Sequence, residues 1–77
     1  MNRDAFEGKW QKLRGEVKAW WGKLTDADIE KINGQFDVFV DLLQEHYGYS
    51  REHAAEEIEK QIEQYEIWLK KKGMPAL

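Results

Sequence analysis

The chain contains no cysteine among its 77 residues, which excludes disulfides, thiolate metal ligands and cysteine nucleophiles. It has one proline, Pro75, which lies close to the end of the sequence. No apolar run is long enough to cross a membrane, so membrane insertion is not expected. Aromatic residues nevertheless make up 13% of the chain, a share that is typical of a folded chain. The sequence therefore predicts one small folded domain with a thin core.

The formal net charge is -3, and a slightly acidic chain of this kind does not by itself indicate a nucleic-acid or anionic membrane partner. The charges are unevenly spread, however. Residues 1–24 carry six Lys or Arg against three Asp or Glu, and residues 25–77 carry six against twelve. Complementarity between a basic first helix and an acidic fourth helix explains this asymmetry, and nucleic-acid or anionic membrane binding is the alternative. Because the sequence opens on charged residues without a signal-like apolar run, we expect a cytoplasmic location.

Two helices are predicted in the first half of the chain from apolar periodicity and capping residues. The first covers about residues 4–21 and ends near Gly22. The second follows Thr25, an N-cap candidate with an acidic residue three positions later, and ends at the turn formed by Asn33 and Gly34.

Two further helices are predicted in the second half. The third covers about residues 35–46, and Gly48 suits a left-handed cap at its end. The fourth follows Ser50, another N-cap candidate, carries lysines in its last turn and ends before Gly73. No segment alternates with a period of two residues, so strands are not expected.

The predicted fold class is all-α, a small bundle of about four helices. A single helical domain is expected over residues 1–72, followed by a short flexible tail over residues 73–77. The apolar positions recur at helical spacing, and they predict a largely buried core. Its predicted members are Trp10, Leu13, Val17, Phe39, Leu43, Ile58, Ile62 and Tyr65.

The first helix carries a second face of small residues, Gly8, Gly15 and Ala19, nearly opposite its tryptophan-rich stripe. These residues mark a fray or a bend, a close approach by another helix of the same chain, or a surface for self-association. Together with Lys12 and Lys18 they form the candidate interaction surface. A monomer is favoured, and weak self-association is the alternative.

Catalytic chemistry is not expected from this sequence. His46 and His53 are the only histidines, and they fall on separate helices around a turn, whereas a metal site needs three or four converging ligands. Ser50 is better explained as a helix cap than as a nucleophile. The many carboxylates of the fourth helix recur on its polar face. We therefore predict no enzyme activity, no metal and no cofactor.

A set of motif positions resembles the CsbD-like family of small bacterial general stress-response proteins, in particular its YjbJ-type members. These motif positions are Trp10, Gly15, Trp21, Gly22, Lys23, Leu24, Thr25, Asp26, Gly34, Tyr47 and Gly48. The resemblance covers about residues 1–68, and the lysine-rich residues 67–77 depart from it. It implies a small helical bundle, with two helical hairpins packed crosswise, and expression under general or osmotic stress. It implies no reaction and transfers no catalytic residue.

The leading hypothesis is a non-enzymatic bacterial stress-response protein that acts by binding or protection. The alternative is a nucleic-acid-binding accessory protein that uses the basic first helix. A third hypothesis is a marginally folded chain that orders on binding a partner. The sequence names no ligand or partner.

Overall fold

A computed structural model describes residues 3–75, and every regular element in that range is a helix. The prediction of an all-α bundle is confirmed. Residues 76–77 of the predicted tail lie outside the described residues. The four helices are α1 (Arg3–Trp20), α2 (Asp26–Ile32), α3 (Phe36–Tyr47) and α4 (Arg51–Lys71).

The helix ends lie where the capping residues predict them. Thr25 forms a capping box with Asp28, and the Ser50 hydroxyl accepts a hydrogen bond from the His53 backbone N–H at 3.1 Å. Gly48 caps α3 in the left-handed conformation, with φ of 72°. These caps satisfy backbone groups that a helix end otherwise leaves unpaired, and they fix short links between the helices.

The last helix ends in a Schellman motif. The Met74 N–H donates to the Leu69 carbonyl at 2.9 Å, and the Gly73 N–H donates to the Lys70 carbonyl at 3.1 Å. Gly73 has φ of 72°, which a residue with a Cβ rarely adopts. The backbone just beyond α4 is therefore held by hydrogen bonds as far as Met74.

The centre of the core is aromatic. The Phe39 ring of α3 lies 6.0 Å from the Phe6 ring, 6.2 Å from the Trp10 ring and 5.1 Å from the Trp21 ring. Two of these contacts are edge-on, an arrangement that aromatic pairs favour. These residues come from α1, from the residue that follows it and from α3, so one cluster joins both halves of the chain.

Seven of the eight predicted core residues are buried, and Tyr65 is half-buried. Tyr65 faces Trp20 at the edge of α1, where the ring centroids are 5.5 Å apart. Its position at a helix–helix edge, rather than beneath a second helix, explains the difference from the prediction.

Helix α1 crosses α4 instead of running beside it. The Lys9 ammonium contacts the Glu66 carboxylate at 2.8 Å, and the Trp20 ring contacts the Tyr65 ring. Lys9 and Trp20 are eleven positions apart, about 16 Å along α1, yet they contact adjacent residues of α4. The crosswise packing of two helical hairpins, which the family resemblance implies, stays a prediction.

Candidate functional site

Two of the motif positions, Lys23 and Tyr47, meet at the end of α3. The Lys23 backbone N–H donates a hydrogen bond to the Tyr47 hydroxyl at 3.1 Å, and the Lys23 ammonium lies 5.0 Å from the centroid of the Tyr47 ring. A cation over an aromatic face is attracted to it. The segment that joins α1 to α2 is thereby attached to the segment that joins α3 to α4.

A second contact in the same region involves Asp28 and His46. The Asp28 carboxylate accepts the Thr25 backbone N–H at 3.0 Å, and His46 Nε2 lies 3.2 Å from its Oδ2 atom. The Thr25 backbone hydrogen bond lowers the pKa of Asp28 below its ordinary value, and His46 and Lys31 act in the same direction. Partial burial of the carboxyl group opposes this shift.

Close packing explains why glycine occupies motif position 34. Gly34 is buried, its φ is +80°, and a Cβ added to it would lie 3.3 Å from Glu7 Cγ and 3.4 Å from Trp10 Cβ. Only glycine allows the turn between α2 and α3 to approach α1 this closely without a shift. The motif around Trp10 and Gly34 therefore describes how the helices pack.

The two histidines lie at different helix ends, each beside a carboxylate. His46 contacts Asp28, and His53 Nε2 lies 3.3 Å from the Glu57 carboxylate on the exposed start of α4. The His53 ring also stacks on Tyr49 with centroids 4.4 Å apart. Within residues 3–75, no group of three or more potential ligands is placed to hold a metal ion.

The small-residue face of α1 is exposed. A methyl group added at Gly8 or Gly15 would meet no atom of the described chain within 4 Å, and Ala19 is exposed as well. The hypothesis that another helix of the same chain packs on this face is therefore wrong. Helix α1 continues through Gly8 and Gly15, so these glycines do not mark its end.

The basic side chains of α1 pair with acidic groups from three helices. Lys9 pairs with Glu66 of α4 as described above, and both side chains are partly buried. Lys18 contacts Asp26 of α2 at 2.9 Å, in an exposed pair. Arg3 contacts Asp37 of α3 at 2.8 Å. The pair of Lys9 and Glu66 thus joins α1 to the acidic helix α4, while Lys12 is exposed.

An open groove of about 320 Å³ lies between α1 and α4, and no motif position lines it. Three aromatic residues, two glutamines and a glutamate form its walls. The residues are Glu16, Trp20, Gln61, Gln64, Tyr65 and Trp68. The Tyr65 and Trp68 rings are nearly parallel, with centroids 6.0 Å apart. We call this groove the aromatic groove.

Trp68 was not assigned a place by the sequence patterns. It is 48% exposed, and it lies at the wall of the aromatic groove rather than in the core. A signal was present, because Trp68 falls off the stripe that Ile58, Ile62 and Leu69 form on α4. A large aromatic residue outside the buried stripe of its own helix is a candidate for contact with a partner.

The groove has the chemistry of a binding surface. No charged or polar side chain within residues 3–75 is buried. An aromatic groove with amide and carboxylate groups offers stacking, apolar contact and hydrogen bonding to a ligand. No helix of the described chain is both long enough and apolar enough to span a bilayer.

Comparison with known proteins gives several bacterial relatives. A UPF0337 protein of Protochlamydia amoebophila is 51% identical over 57 residues, which are 74% of this chain and 86% of the relative. A UPF0337 protein of Pseudomonas aeruginosa is 45% identical over 58 residues, covering 75% and 89% of the two chains. The UPF0337 protein YjbJ of Escherichia coli is 45% identical over 58 residues, covering 75% and 84%.

No family model and no solved structure matches this chain. The relatives, however, share close to half of their residues with it over most of their length. The chain belongs to the UPF0337 family, which is the CsbD-like family that its motif positions indicate.

Proposed function

We propose that this chain is a non-enzymatic bacterial stress-response protein that acts by binding. The stress role is what its likeness to the CsbD-like family implies. Binding rather than catalysis is supported by the open aromatic groove, whose walls present Trp20, Tyr65 and Trp68 at the surface. A cytoplasmic location and a monomeric state belong to the same proposal.

The arrangement of the titratable groups also supports a non-catalytic role. Catalytic acids and bases usually lie in clefts that exclude water, with strongly shifted pKa values. In this chain Asp28 has a lowered pKa, and its capping contact with Thr25 explains the shift without a catalytic role. The histidines contact carboxylates at helix ends away from the aromatic groove.

The alternative, nucleic-acid binding through α1, receives less support from the contacts. Phosphate recognition requires cationic side chains that are available to the backbone of the nucleic acid. Lys9 and Lys18 are engaged with Glu66 and Asp26. The groove beside Gly15 is lined by Arg14 and Lys18 but also by the acidic residues Asp26 and Glu30.

The test is rescue of a bacterium that lacks its own UPF0337 gene. We expect expression of this chain to restore survival after osmotic shock, and a chain unfolded by Leu43→Asp to restore none. A double variant, His46→Gln with His53→Gln, should rescue as well as the wild type if no histidine chemistry is involved.

Two results would contradict the proposed function. One is the absence of any survival defect in the deletion strain under osmotic, acid and starvation stress. The other is loss of rescue in the double histidine variant while its circular dichroism spectrum stays unchanged. A triple variant, Lys12→Gln with Arg14→Gln and Lys18→Gln, tests the nucleic-acid alternative, which predicts loss of rescue.

A further inference from the structure

Three large apolar side chains are exposed near the C-terminal end of α4. Ile67 is 47% exposed, Trp68 is 48% exposed and Met74 is 50% exposed. They are the exposed large hydrophobic residues of the described chain, and all three fall within eight consecutive positions. Single apolar residues on a surface are ordinary, whereas a group of them at one place marks an interaction site.

The same segment is strongly basic. Residues 67–75 contain three lysines and no Asp or Glu, although the chain as a whole has a net charge of -3. Lys70, Lys71 and Lys72 are all exposed. We call residues 67–75 the basic tip.

Cationic and apolar side chains alternate around the helix at the basic tip. Lys71 follows Ile67 by one helical turn, and Lys72 follows Trp68 by one turn. The Lys72 ammonium lies 5.9 Å from the centroid of the Trp68 ring. A partner that approaches the basic tip therefore meets positive charge and apolar surface together, within the same contact area.

The basic tip is held in place before any partner arrives. The Schellman motif fixes the backbone as far as Met74, as described above. Trp68 stacks on Tyr65, which in turn contacts Trp20 of α1. Little side-chain and backbone freedom remains to be lost at Trp68 on binding.

We propose that the basic tip docks on the surface of an anionic lipid bilayer. Lysines near such a surface are attracted to the acidic headgroups, and tryptophan prefers the boundary between headgroups and acyl chains. Ile67 and Met74 can enter that boundary beside Trp68, which removes their apolar surface from water. This is peripheral binding, and it needs no segment that spans the membrane.

A second copy of the chain fits this surface less well. In a symmetric dimer the same patch of each subunit faces the other, so the three lysines of one copy would oppose those of its partner. Nucleic acid would satisfy the lysines through its phosphates, but phosphate contacts would leave Ile67 and Met74 in water. A bilayer with acidic headgroups satisfies both kinds of side chain at once.

The charges upstream on α4 determine the orientation on the bilayer. The outer surface of the helix before the basic tip carries the exposed acidic residues Glu56 and Glu63. An anionic surface repels these carboxylates, so α4 cannot lie flat along it in the manner of a basic amphipathic helix. We therefore place the protein on the bilayer by the end of α4, with the acidic part of α4 that precedes the basic tip directed away from the lipid.

Vesicle binding tests this inference on the full chain. Tryptophan fluorescence and co-sedimentation are followed with vesicles of phosphatidylglycerol and phosphatidylcholine in equal parts, and with vesicles of phosphatidylcholine alone. We expect binding to the first and little to the second, with weakening as salt rises. Lys70→Gln with Lys71→Gln and Lys72→Gln should reduce binding by about 100-fold, or roughly fivefold for each lysine.

The matched control removes the same charge from α1, through Lys12→Gln with Arg14→Gln and Lys18→Gln. These residues are also exposed, and we expect this variant to lose less than about threefold, because they lie outside the basic tip, Lys18 is paired with Asp26, and salt screens exposed charges that do not touch the lipid. Trp68→Gln should weaken binding by about tenfold or more through lost apolar contact, and it should abolish fluorescence quenching by brominated lipid. Circular dichroism checks that each variant is folded.

Four results would overturn the inference. The first is equal binding to both kinds of vesicle, and the second is an equal loss of vesicle binding in the two triple variants. The third is quenching by brominated lipid that survives Trp68→Gln. The fourth is a dimer or a single-stranded DNA complex that needs the basic tip, while vesicles fail to bind.

Discussion

Trp10 and Trp21 lie in the aromatic cluster around Phe39, whereas Trp68 lies on the surface at the end of α4. The first two belong to the family motif and are 3% and 5% exposed, while Trp68 lies outside the motif and is about half exposed. The motif region thus uses its aromatic residues to hold α1 and α3 together. The end of α4 leaves its aromatic residue exposed at the surface, where we propose that it binds lipid.

This difference shows what the family motif describes in this chain. Gly34 allows a close approach to Trp10, Thr25 caps α2, and Tyr47 attaches the segment that holds Lys23. Each of these positions has a structural role that the contacts explain. The surfaces that we propose for binding lie elsewhere, in the aromatic groove and the basic tip.

The largest effects are expected where α3 and α4 meet. Leu43→Ala or Ile58→Ala should lower the free energy of unfolding by about 2–5 kcal/mol, because both side chains are fully buried. Ile67→Ala, at the exposed basic tip, is the matched control and should change it by less than about 0.5 kcal/mol. Urea denaturation measures all three. Comparable losses at Ile58 and Ile67 would remove the distinction between the core and the basic tip.

A second comparison separates two glycines with left-handed backbones. Gly34→Ala should cost about 2–4 kcal/mol, because the backbone is strained and the new methyl group meets Glu7 and Trp10. Gly48→Ala should cost about 1–2 kcal/mol, since φ is similar but the surrounding space is open. Equal losses in urea denaturation would show that the close approach at Gly34 contributes nothing.

The capping contact of α2 predicts a pH dependence. The pKa of Asp28 is lowered in the folded chain, so its carboxylate adds stability that is fully present above the ordinary value of 3.8. That stability is lost as the pH falls through the lower, folded-state value. Asp28→Asn should cost about 1 kcal/mol near neutral pH.

Denaturation of both chains at several pH values measures this effect. The advantage of the wild type over Asp28→Asn should shrink as the pH is lowered from about 5 to about 2. A constant advantage over that range would contradict the role given to the Asp28 carboxylate.

The helix ends and most of the core could be predicted from the sequence, because both depend on local patterns. Thr25, Ser50 and Gly48 mark their helix ends through hydrogen bonds to nearby residues, and the buried stripes follow the helical period. The contact between Lys9 and Glu66 spans 57 positions and depends on how α1 crosses α4. Local patterns carry no information about that crossing angle.

The candidate surfaces were predicted less well for the same reason. The sequence leaves three interpretations of Gly8, Gly15 and Ala19 open, namely a fray or bend, contact with another helix of the chain, and self-association. Only the packing of the other helices decides whether one of them covers this face. The aromatic groove forms where α1 crosses α4, so its walls combine Trp20 with Tyr65 and Trp68 from the opposite end of the chain. The sequence predicts a lysine-rich end of the fourth helix, but whether Ile67, Trp68 and Met74 beside those lysines are exposed depends on which side chains fill the core.

The smallest expected effect on stability is a gain, whereas the substitutions above, apart from the control Ile67→Ala, are expected to destabilise the chain. Gly15→Ala should raise the free energy of unfolding by up to about 1 kcal/mol, because α1 continues through this position and a methyl group meets no neighbour. The double variant Gly15→Leu with Ala19→Leu should stay folded and monomeric. Two results would show that this face is a packing surface. One is destabilisation by Gly15→Ala, and the other is a change in sedimentation which shows that the double variant has lost a dimer formed by the wild type.

The central claim is that Trp10 and Trp21 belong to the core whereas Trp68 belongs to a binding surface. Hydrogen exchange of the indole N–H groups, followed by NMR, tests this claim most directly. The four signals are assigned with single Trp→Phe variants. We expect the Trp10 and Trp21 signals to be protected, since both rings are buried in the core, and the Trp68 signal to exchange rapidly and to broaden on addition of anionic vesicles. A Trp68 signal that is as protected as that of Trp10, and unaffected by vesicles, would contradict the assignment of the end of α4 as a binding surface.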